Sequence, residues 1–338
     1  MTEPATAEEA DQLTKDFAEI TGTDEACAHF FLQDVEWNLQ RALDAYYESQ
    51  RSHRNEARSS CAFENGQESS AADSTEKTCF KVMSWNVDGL NTNSLSSRLK
   101  GILVVLEREQ ADVVLLQEVV DGVWQCVHER LAATYEFVSG RDQSTASEYY
   151  TCALLRRARL RLRAHAVLPY PASQMARTLL HLNVELCGVP MHVLTTHLES
   201  TKEHAKERVK QLRVCFERLS NSTTNDALLL FGGDLNLRDS ELTAAGGIPS
   251  NMQDAWVAVG SADDTKYTWD LKKNDNAQLA GGRATPRCRF DRVYFGAGAG
   301  RALECTAFAL CGTERLRTAL CFPSDHFGIV ATFATTPK

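Results

Sequence analysis

Several apolar runs in this 338-residue chain end in clusters of polar side chains, and the run at 227–231 shows the pattern best. It leads directly into GGDLNLRD at residues 232–239, which contains two carboxylates, an amide and an arginine. A carboxylate at the edge of an apolar core costs several kcal/mol unless a charge or a hydrogen-bond donor meets it. The polar end of this run therefore has to meet groups from other parts of the chain, which limits the folds that the sequence can adopt.

Four further polar clusters lie at the ends of apolar runs. They are 86–89, 117–118, 195–200 and, just before the last run, 324–326. Taken singly, an Asn or Asp after a strand is usually a turn residue, and a lone His is usually a hydrogen-bonded structural residue. Together, the five clusters predict one rim at which polar side chains converge on water, a metal ion or a substrate.

The pattern after Cys79 alternates between strands and helices. Strand-like runs occur at 80–85, 112–117, 149–156, 159–167, 178–186, 190–196, 226–232, 289–295, 303–311 and 327–333. Helical stretches lie near 96–110, 121–133 and 201–219. Many strands with few helices, several joined by links short enough for hairpins, predict an α/β (α+β) fold in which two packed mixed sheets form a β-sandwich flanked by helices.

The first fifty residues differ from the rest in charge. They carry a net charge of −10, whereas the whole chain carries −9, so the remainder is near neutral and can hold a local basic groove. Helical spacing predicts three short helices at Ala7–Ile20, Asp24–Gln33 and Trp37–Tyr47 that close a small core. Residues 51–78 have the composition of a flexible linker, so the predicted domains are 1–50 and 79–338 on either side of it.

Composition and missing motifs exclude several classes of protein. The eleven cysteines include no CxxC pair, which argues against zinc sites and a disulfide framework. We expect a soluble intracellular protein with no membrane partner, because there is no apolar run of about eighteen residues and no signal-like N-terminus. The polar clusters offer oxygen ligands but no set of thiolates, which suits Mg²⁺ rather than zinc. Neither a GxxxxGK[ST] loop nor a dinucleotide fingerprint is present, so the sequence gives no support for nucleoside-triphosphate or nicotinamide chemistry.

The order of the polar motifs resembles that of a known superfamily. SWN at 84–86, LQE at 116–118, THL at 196–198, GDLN at 233–236 and SDH at 324–326 are similar to the Mg²⁺-dependent exonuclease–endonuclease–phosphatase superfamily over about residues 79–335. Longer strings such as HLESTKEHAKERVKQL and RFDRVYF resemble the tyrosyl-DNA phosphodiesterase 2 family within it. The first fifty residues resemble the ubiquitin-associated three-helix domain that this family also carries. Leu235 and Phe327 replace the usual Thr and Trp, and 274–287 matches poorly.

The resemblance implies a DNA-repair enzyme that hydrolyses the phosphodiester between a topoisomerase II tyrosine and a DNA 5′ end and leaves a 5′-phosphate. Glu118, with Asp88 nearby or through water, is expected to hold Mg²⁺, for which Mn²⁺ can substitute. Asp234, left unpaired for an attacking water, is expected to orient and deprotonate it, with Asn236 and Asn86 fixing water and phosphate in line.

Two imidazoles complete the expected catalytic set. His326, oriented by neighbouring carboxylates, and His197 are expected to donate hydrogen bonds to oxygens that gain charge, and Asp325 belongs to the same set. The leaving group is a phenolate with a pKa near 10, so a dedicated general acid is not required.

The expected substrate contacts lie on the same loops and on nearby aromatic and basic residues. The loop at 197–202 is expected to enter the helix at 201–219, whose N-terminal amides can receive phosphate. Either Trp269 or Tyr267 stacks on a displaced base, unless Trp269 packs in the core. The full set is Asn86, Val87, Asp88, Gly89, Leu90, His197, Leu198, Glu199, Ser200, Thr201, Lys202, Asn236, Leu237, Arg238, Tyr267, Trp269 and Arg292, of which Arg238 and Arg292 would contact backbone phosphates.

Two other functions stay open. One is an enzyme of the same fold that acts on abasic DNA, poly(A) RNA or an inositol phosphate, since all share the rim. The other is a ubiquitin-binding adaptor with an inactive C-terminal domain. Ubiquitin is an expected partner of the N-terminal domain, a monomer is expected because there is no long heptad pattern, and the implied substrate places the protein in the nucleus, with a cytoplasmic pool equally compatible.

Overall fold

The computed structural model describes residues 7–21, 23, 28–29, 32–33, 37–39, 41–42, 77–144, 147–277, 285–317 and 319–338. The chain divides into two units, Met1–Asp73 and Ser74–Lys338. The predicted linker at 51–78 lies outside the described residues except for its last two, and Thr78 already begins a strand. The predicted domain boundaries therefore stay a prediction.

The N-terminal unit begins with helix α1 (Ala7–Thr21), which confirms the helix predicted at Ala7–Ile20. Phe17 is fully buried and packs with Ala28, Leu32 and Ala42 in a small apolar cluster. The other two predicted helices, at 24–33 and 37–47, lie mostly outside the described residues.

The second unit contains two six-stranded sheets. The strands of the first sheet are β1 (Thr78–Asn86), β2 (Val113–Val119), β3 (Tyr135–Ser139), β4 (Tyr150–Arg156), β13 (Arg301–Cys311) and β14 (Gly328–Pro337). Those of the second are β5 (Leu160–Pro169), β6 (Thr178–Leu186), β7 (Val189–His197), β8 (Leu228–Asp234), β9 (Met252–Asp254) and β12 (Asp291–Ala297). The first sheet has the order β13-β14-β1-β2-β4-β3, and the second has the order β5-β6-β7-β8-β12-β9. A small ribbon joins β10 (Trp269–Asp270) to β11 (Arg287–Cys288).

The two sheets pack face to face and share one apolar core. Inward side chains of the first sheet, such as Val82 and Leu115, meet Leu182, Val193 and Leu230 of the second. These residues alternate with outward-facing ones because successive side chains of a strand point to opposite faces.

Helices cover the outer faces of both sheets. On the first sheet, α2 (Leu95–Glu109) and α3 (Asp121–Leu131) bury Ile102 and Val127 against β1 and β2. On the second, α4 (Ala205–Ser222) buries Leu212 and Phe216 against β7 and β8. Two short helices, α5 (Asp239–Ala244) and α6 (Ala255–Ala258), and a 3₁₀ turn at Asp263–Thr265 follow β8. Among the described residues, no helix is long and apolar enough to span a bilayer.

The predicted β-sandwich flanked by helices is confirmed, and each of the ten predicted strands corresponds to an observed one. Four short strands, β3, β9, β10 and β11, were not predicted. They have two to five residues, too few for an alternating pattern to stand out. The helix predicted at 201–219 begins later, at Ala205, because residues 201–204 form a turn.

Candidate active site

The polar ends of β1, β2, β7 and β8 meet at one rim of the sandwich, as predicted. β1 and β2 are parallel neighbours in one sheet, and β7 and β8 are parallel neighbours in the other, so their carboxyl ends lie at the same edge. The side-chain amide of Asn86 joins the two sheets, because its Nδ2 donates to Glu118 Oε1 at 3.1 Å and to Asp234 Oδ2 at 3.0 Å.

Tight local turns aim these side chains at the rim. Asp88 and Asn236 have positive φ, and each turn is closed when the backbone N–H donates to the side chain two residues earlier, Asn86 and Asp234. Glu118 also has positive φ, at an irregularity in the pairing of β2 with β4 that turns its side chain to the rim. The Asn-x-Asp sequence at 86–88 and the Asp-x-Asn sequence at 234–236 therefore form these two turns from neighbouring residues alone.

Gly233 keeps β8 paired with β7 up to the site. Its φ is +152°, and a Cβ there would lie 2.0 Å from the carbonyl oxygen of Thr196. A side chain at this position would push the strands apart and displace Asp234 from His197, with which it is paired in the ladder.

Asp234 is the buried centre of the cluster. Its Oδ2 lies 3.2 Å from Nε2 of His197 and 3.7 Å from Nε2 of His326, and its Oδ1 accepts from the backbone N–H of Asn236. Burial acts to raise the pKa of Asp234, but His197, His326 and Asn86 outweigh it and hold the pKa well below its usual range. The prediction that this carboxylate is left unpaired is therefore wrong, since four groups already surround it.

His326 is held by a carboxylate that sequence reasoning missed. Its Nδ1 lies 2.8 Å from Oδ2 of Asp291, which is 1 % exposed and stands opposite Asp234 in the antiparallel pairing of β12 with β8. The predicted catalytic residue Asp325 instead accepts a hydrogen bond from the indole of Trp269, at 3.2 Å. The motif RFDRVYF contains Asp291, but only the fold brings it to His326, 35 residues away.

The pKa values of His326 and Asp291 are shifted together. Burial acts to lower the pKa of His326, but Asp291, Asp325 and Asp234 outweigh it and raise that pKa well above its ordinary value. Burial also raises the pKa of Asp291. The two groups therefore share one proton, which we assign to the imidazole because three carboxylates act on it.

Two groupings of acidic residues could hold a cation. Ligand atoms of Asp234, Asp291 and His326 lie within 4.8 Å of one another, but His326 already bonds to Asp291, and Asp234 accepts from Asn86. Asp88 lies near Glu118 and Asp325, and burial together with these two carboxylates raises its pKa to about 7, although Arg98 is 3.2 Å away. A divalent cation would relieve this repulsion, so the oxygen-rich group around Glu118 and Asp88 is the better fit for a cation.

Arg177 and Tyr149 form a second part of the site that sequence reasoning missed. Arg177 is 5 % exposed, its guanidinium lies 5.1 Å over the Tyr149 ring, and its Nη1 lies 2.7 Å from Nδ1 of His197. Because a guanidinium can only donate, Nδ1 of His197 accepts, and the ring carries its proton on Nε2 toward Asp234. Neither residue belongs to a motif, so no signal in the sequence pointed to them.

Comparison with known proteins identifies the family. A model of the endonuclease/exonuclease/phosphatase family matches residues 83–326, and a UBA-like domain model matches 11–52. The chain is 38% identical to the 5′-tyrosyl-DNA phosphodiesterase of Caenorhabditis elegans over 96% of this chain and 87% of that protein, and 32% identical to tyrosyl-DNA phosphodiesterase 2 of Homo sapiens over 94% and 91%. The chain belongs to the tyrosyl-DNA phosphodiesterase 2 family.

Solved structures of the tyrosyl-DNA phosphodiesterase 2 family share this fold. D. rerio TDP2 complexed with single strand DNA product is 35% identical, with a TM-score of 0.71, and the match covers 76% of this chain and 99% of that one. TDP2 from C. elegans is 36% identical, with a TM-score of 0.69, over 98% and 95%. The match to the C. elegans structure, unlike that to the D. rerio structure, extends over nearly the whole chain.

The substrate contacts expected for this family fall into an accessible group and a buried group. Leu90, Thr201, Lys202 and Arg238 are exposed, and Ser200, Tyr267 and Trp269 are half-buried at the rim. Asn86, Asp88, His197 and Asn236 form the buried floor of the site, next to the buried backbone of Gly89. Arg287 of β11 stacks over Tyr267 at 4.1 Å and Trp269 of β10 packs on Phe290 at 5.6 Å, so Tyr267 and Trp269 both have protein partners.

Five of the expected contacts are corrected by burial. The side chains of Val87, Leu198 and Leu237 pack in the cores beneath the helices and do not face the rim. Arg292 is 2 % exposed and donates to Asp239 Oδ1 at 2.7 Å, so it fixes the start of α5 and does not reach a phosphate. Glu199 is fully buried, and its Oε1 accepts from Ser173 Oγ at 2.9 Å and from two backbone N–H groups of the turn at 173–177.

Proposed function

We propose that the protein is a 5′-tyrosyl-DNA phosphodiesterase of DNA repair. It hydrolyses the bond between a topoisomerase II tyrosine and a DNA 5′ end and leaves a 5′-phosphate. The observation that carries this proposal is the buried Asp234 carboxylate between two imidazoles, joined through Asn86 to Glu118. Family membership supports the substrate, since curated relatives are named for this activity.

Asp234 and Asn236 hold the attacking water. Because the pKa of Asp234 is lowered, the carboxylate is ionised at neutral pH and accepts a hydrogen bond from water. The water loses its proton to this carboxylate as the new P–O bond forms and its acidity rises, which is worth roughly 10²–10⁴ in rate.

The two imidazoles stabilise the charge that develops on phosphate. His326 carries the shared proton and donates from Nε2, and His197 shares its Nε2–H between Asp234 and the phosphate because Arg177 occupies its Nδ1. Donors fixed by buried partners need no reorganisation when the transition state forms.

The leaving phenolate needs positive charge more than a proton, because its pKa is near 10. The Arg177 guanidinium, stacked on Tyr149 beside His197, supplies that charge next to an aromatic face. A tyrosine ring that leaves on this side meets both a cation and a stacking partner.

Mg²⁺, for which Mn²⁺ can substitute, would be held by Glu118 with Asp88 near it or through water. When bound, the ion acts as a Lewis acid on a phosphate oxygen. Arg98 keeps Asp88 in place, because it forms an ion pair with that carboxylate and donates to the backbone carbonyls of Asp88 and Asn91.

The N-terminal unit is proposed to bind ubiquitin, on the basis of its UBA-like match. A titration of the isotope-labelled full chain with ubiquitin should shift resonances of residues 1–50, and unchanged resonances would remove this proposal. We further propose a monomer that acts in the nucleus, where its substrate forms, and imaging of the tagged protein tests its location.

An oligonucleotide with a 5′-phosphotyrosine tests the activity. Incubation with Mg²⁺ should release tyrosine and a 5′-phosphate end, and incubation with EDTA should not. Cleavage of an abasic duplex with no release of tyrosine would favour the rival enzyme of the same fold. No turnover of either substrate, combined with ubiquitin binding, would favour the adaptor.

A further inference from the structure

A groove of about 620 Å³ opens where the terminal strands of the two sheets face each other. β3 ends one sheet and β5 ends the other, and in the described part of the chain each pairs with a single neighbour. Val138 and Ser139 of β3 and His165 and Val167 of β5 line its walls, and Gln143 lines one end.

The groove adjoins the catalytic rim on the side of Arg177. Tyr149, Arg177 and Thr178 line a small pocket beside His197. Thr178 Oγ1 donates to the carbonyl of Gly140 at 2.9 Å, and the guanidinium of Arg141, which lines the groove, lies 4.5 Å over the ring of Tyr150, which lines the pocket. The groove and the pocket beside Arg177 are therefore lined by residues that contact one another.

The walls fit a peptide better than a nucleic acid. The lining includes apolar Val138, Leu162 and Val167 together with the acidic Glu136 and Asp142, and the cationic Arg141 is already paired with Asp121 at 2.6 Å. A polyanion needs free cations along its path, which these walls do not offer. A peptide in extended form can instead use the outer backbone edges of β3 and β5, which pair with no strand in the described residues, and the five residues of β3 run for about 17 Å.

We propose that this groove is a subsite for the peptide that carries the scissile tyrosine. The inference rests on the proposed function and extends it, because the preferred substrate becomes a tyrosine within a peptide of several residues and not a lone tyrosine. The exposed residues Leu90, Lys202 and Arg238 remain available for the DNA side of the substrate, because none of them lines the groove.

Steady-state kinetics with two oligonucleotides of the same sequence test this subsite. One carries a 5′-phosphotyrosine, and the other carries the same tyrosine in the middle of a peptide of about nine residues. The variant His165→Trp fills the groove with an exposed ring, and Ala164→Trp adds the same ring at the neighbouring exposed position, which does not line the groove.

The peptide-linked substrate should have a KM about three- to tenfold lower than the tyrosine-linked one. His165→Trp should remove this advantage and leave kinetics on the tyrosine-linked substrate unchanged, whereas Ala164→Trp should keep it. Equal KM values for both substrates in the native protein, or equal effects of the two variants, would overturn the subsite and leave the phosphodiesterase intact. If neither oligonucleotide is cleaved, the proposed function itself fails.

Discussion

Asp234 is ionised in spite of complete burial, because two imidazoles and two amide groups surround it. These partners explain how an ionised carboxylate can stand at the end of a buried strand. The carboxylate is tolerated at the edge of the core because its partners come from three other strand ends, and it is useful because it stays charged.

Asp234→Asn should lower kcat on the 5′-phosphotyrosine oligonucleotide by roughly 10²–10⁴. The amide has the same shape but lacks the charge that orients water and accepts its proton. The far-UV spectrum serves as the control for the fold, and a kcat equal to that of the native protein would refute the assigned role.

Glu199 is expected to act on catalysis through the turn at 173–177. Its Oε1 holds Ser173, whose Oγ in turn accepts from the backbone N–H of Arg177 at 2.8 Å. Glu199→Ala leaves buried donors without a partner and should cost about 1–3 kcal/mol of unfolding free energy and lower kcat.

The conservative variant separates positioning from charge. Glu199→Gln keeps one carbonyl oxygen as an acceptor, so it should restore most of kcat and of the stability measured by urea unfolding. Equal loss of kcat in the two variants would contradict a positioning role.

Asp88 should make stability depend on pH and on Mg²⁺. Its pKa is raised to about 7 in the folded protein, so it contributes stability below its ordinary value near 4, and that contribution is lost as pH rises toward 7. As the pH is raised from about 4 to about 7, the Tm of the metal-free native protein should therefore fall relative to the Tm of the Asp88→Asn variant.

Mg²⁺ should counter this loss. It should raise Tm more at about pH 8, where Asp88 is charged, than at about pH 5, where it competes with a proton. A Tm difference from Asp88→Asn that is the same at both pH values would argue against this account.

The loop at 199–204 is fixed to two helices through one buried arginine. Arg208 of α4 is fully buried, forms a two-point contact with Glu241 of α5 at 2.6 and 3.0 Å, and donates to the carbonyls of Glu199 and Thr201. This contact explains why residues 201–204 form a turn and do not extend the helix.

Arg208→Met should lower the unfolding free energy by about 3–5 kcal/mol, because it removes the charged partner of the buried Glu241 carboxylate and the side-chain donor to two carbonyls. Lys210→Met on the same helix is the control, since its ion pair with Glu207 is exposed and should change stability by less than about 0.5 kcal/mol. Urea unfolding measures both, and similar values for the two variants would contradict the role of the buried pair.

Every candidate catalytic residue belongs to the second unit, and the acidic charge belongs to the first fifty residues. A fragment of residues 74–338 should therefore keep kcat and KM on the 5′-phosphotyrosine oligonucleotide close to those of the full chain. Its affinity for DNA should rise slightly, because residues 1–73, with a net charge of −11, are removed. A large loss of kcat with an intact far-UV spectrum would show that the first unit contributes to the site.

Much of this molecule could be predicted from short-range patterns. Alternation of apolar residues located ten strands, and turn-forming Asn and Asp after them located Asn86, Asp234 and Asn236, because both signals depend on neighbours in the chain. The same reasoning failed for Val87, Leu198 and Leu237, which stand beside site residues in sequence. Successive residues at a strand end point to opposite sides. Val87, Leu198 and Leu237 therefore face the core, whereas the residues next to them in sequence face the site.

Long-range pairing accounts for what was missed. The sequence was enough to specify the strands, their polar ends and the family motif order, since each is written in a few adjacent residues. The partner of His326, the guanidinium that sets the tautomer of His197 and the groove between β3 and β5 depend on segments that are brought together only when two sheets pack. Asn86 and Asp234 are 148 residues apart in sequence, and Asp291 and His326 are 35 residues apart. Their charge states depend on burial together in one low-dielectric site, and no local sequence pattern encodes that burial.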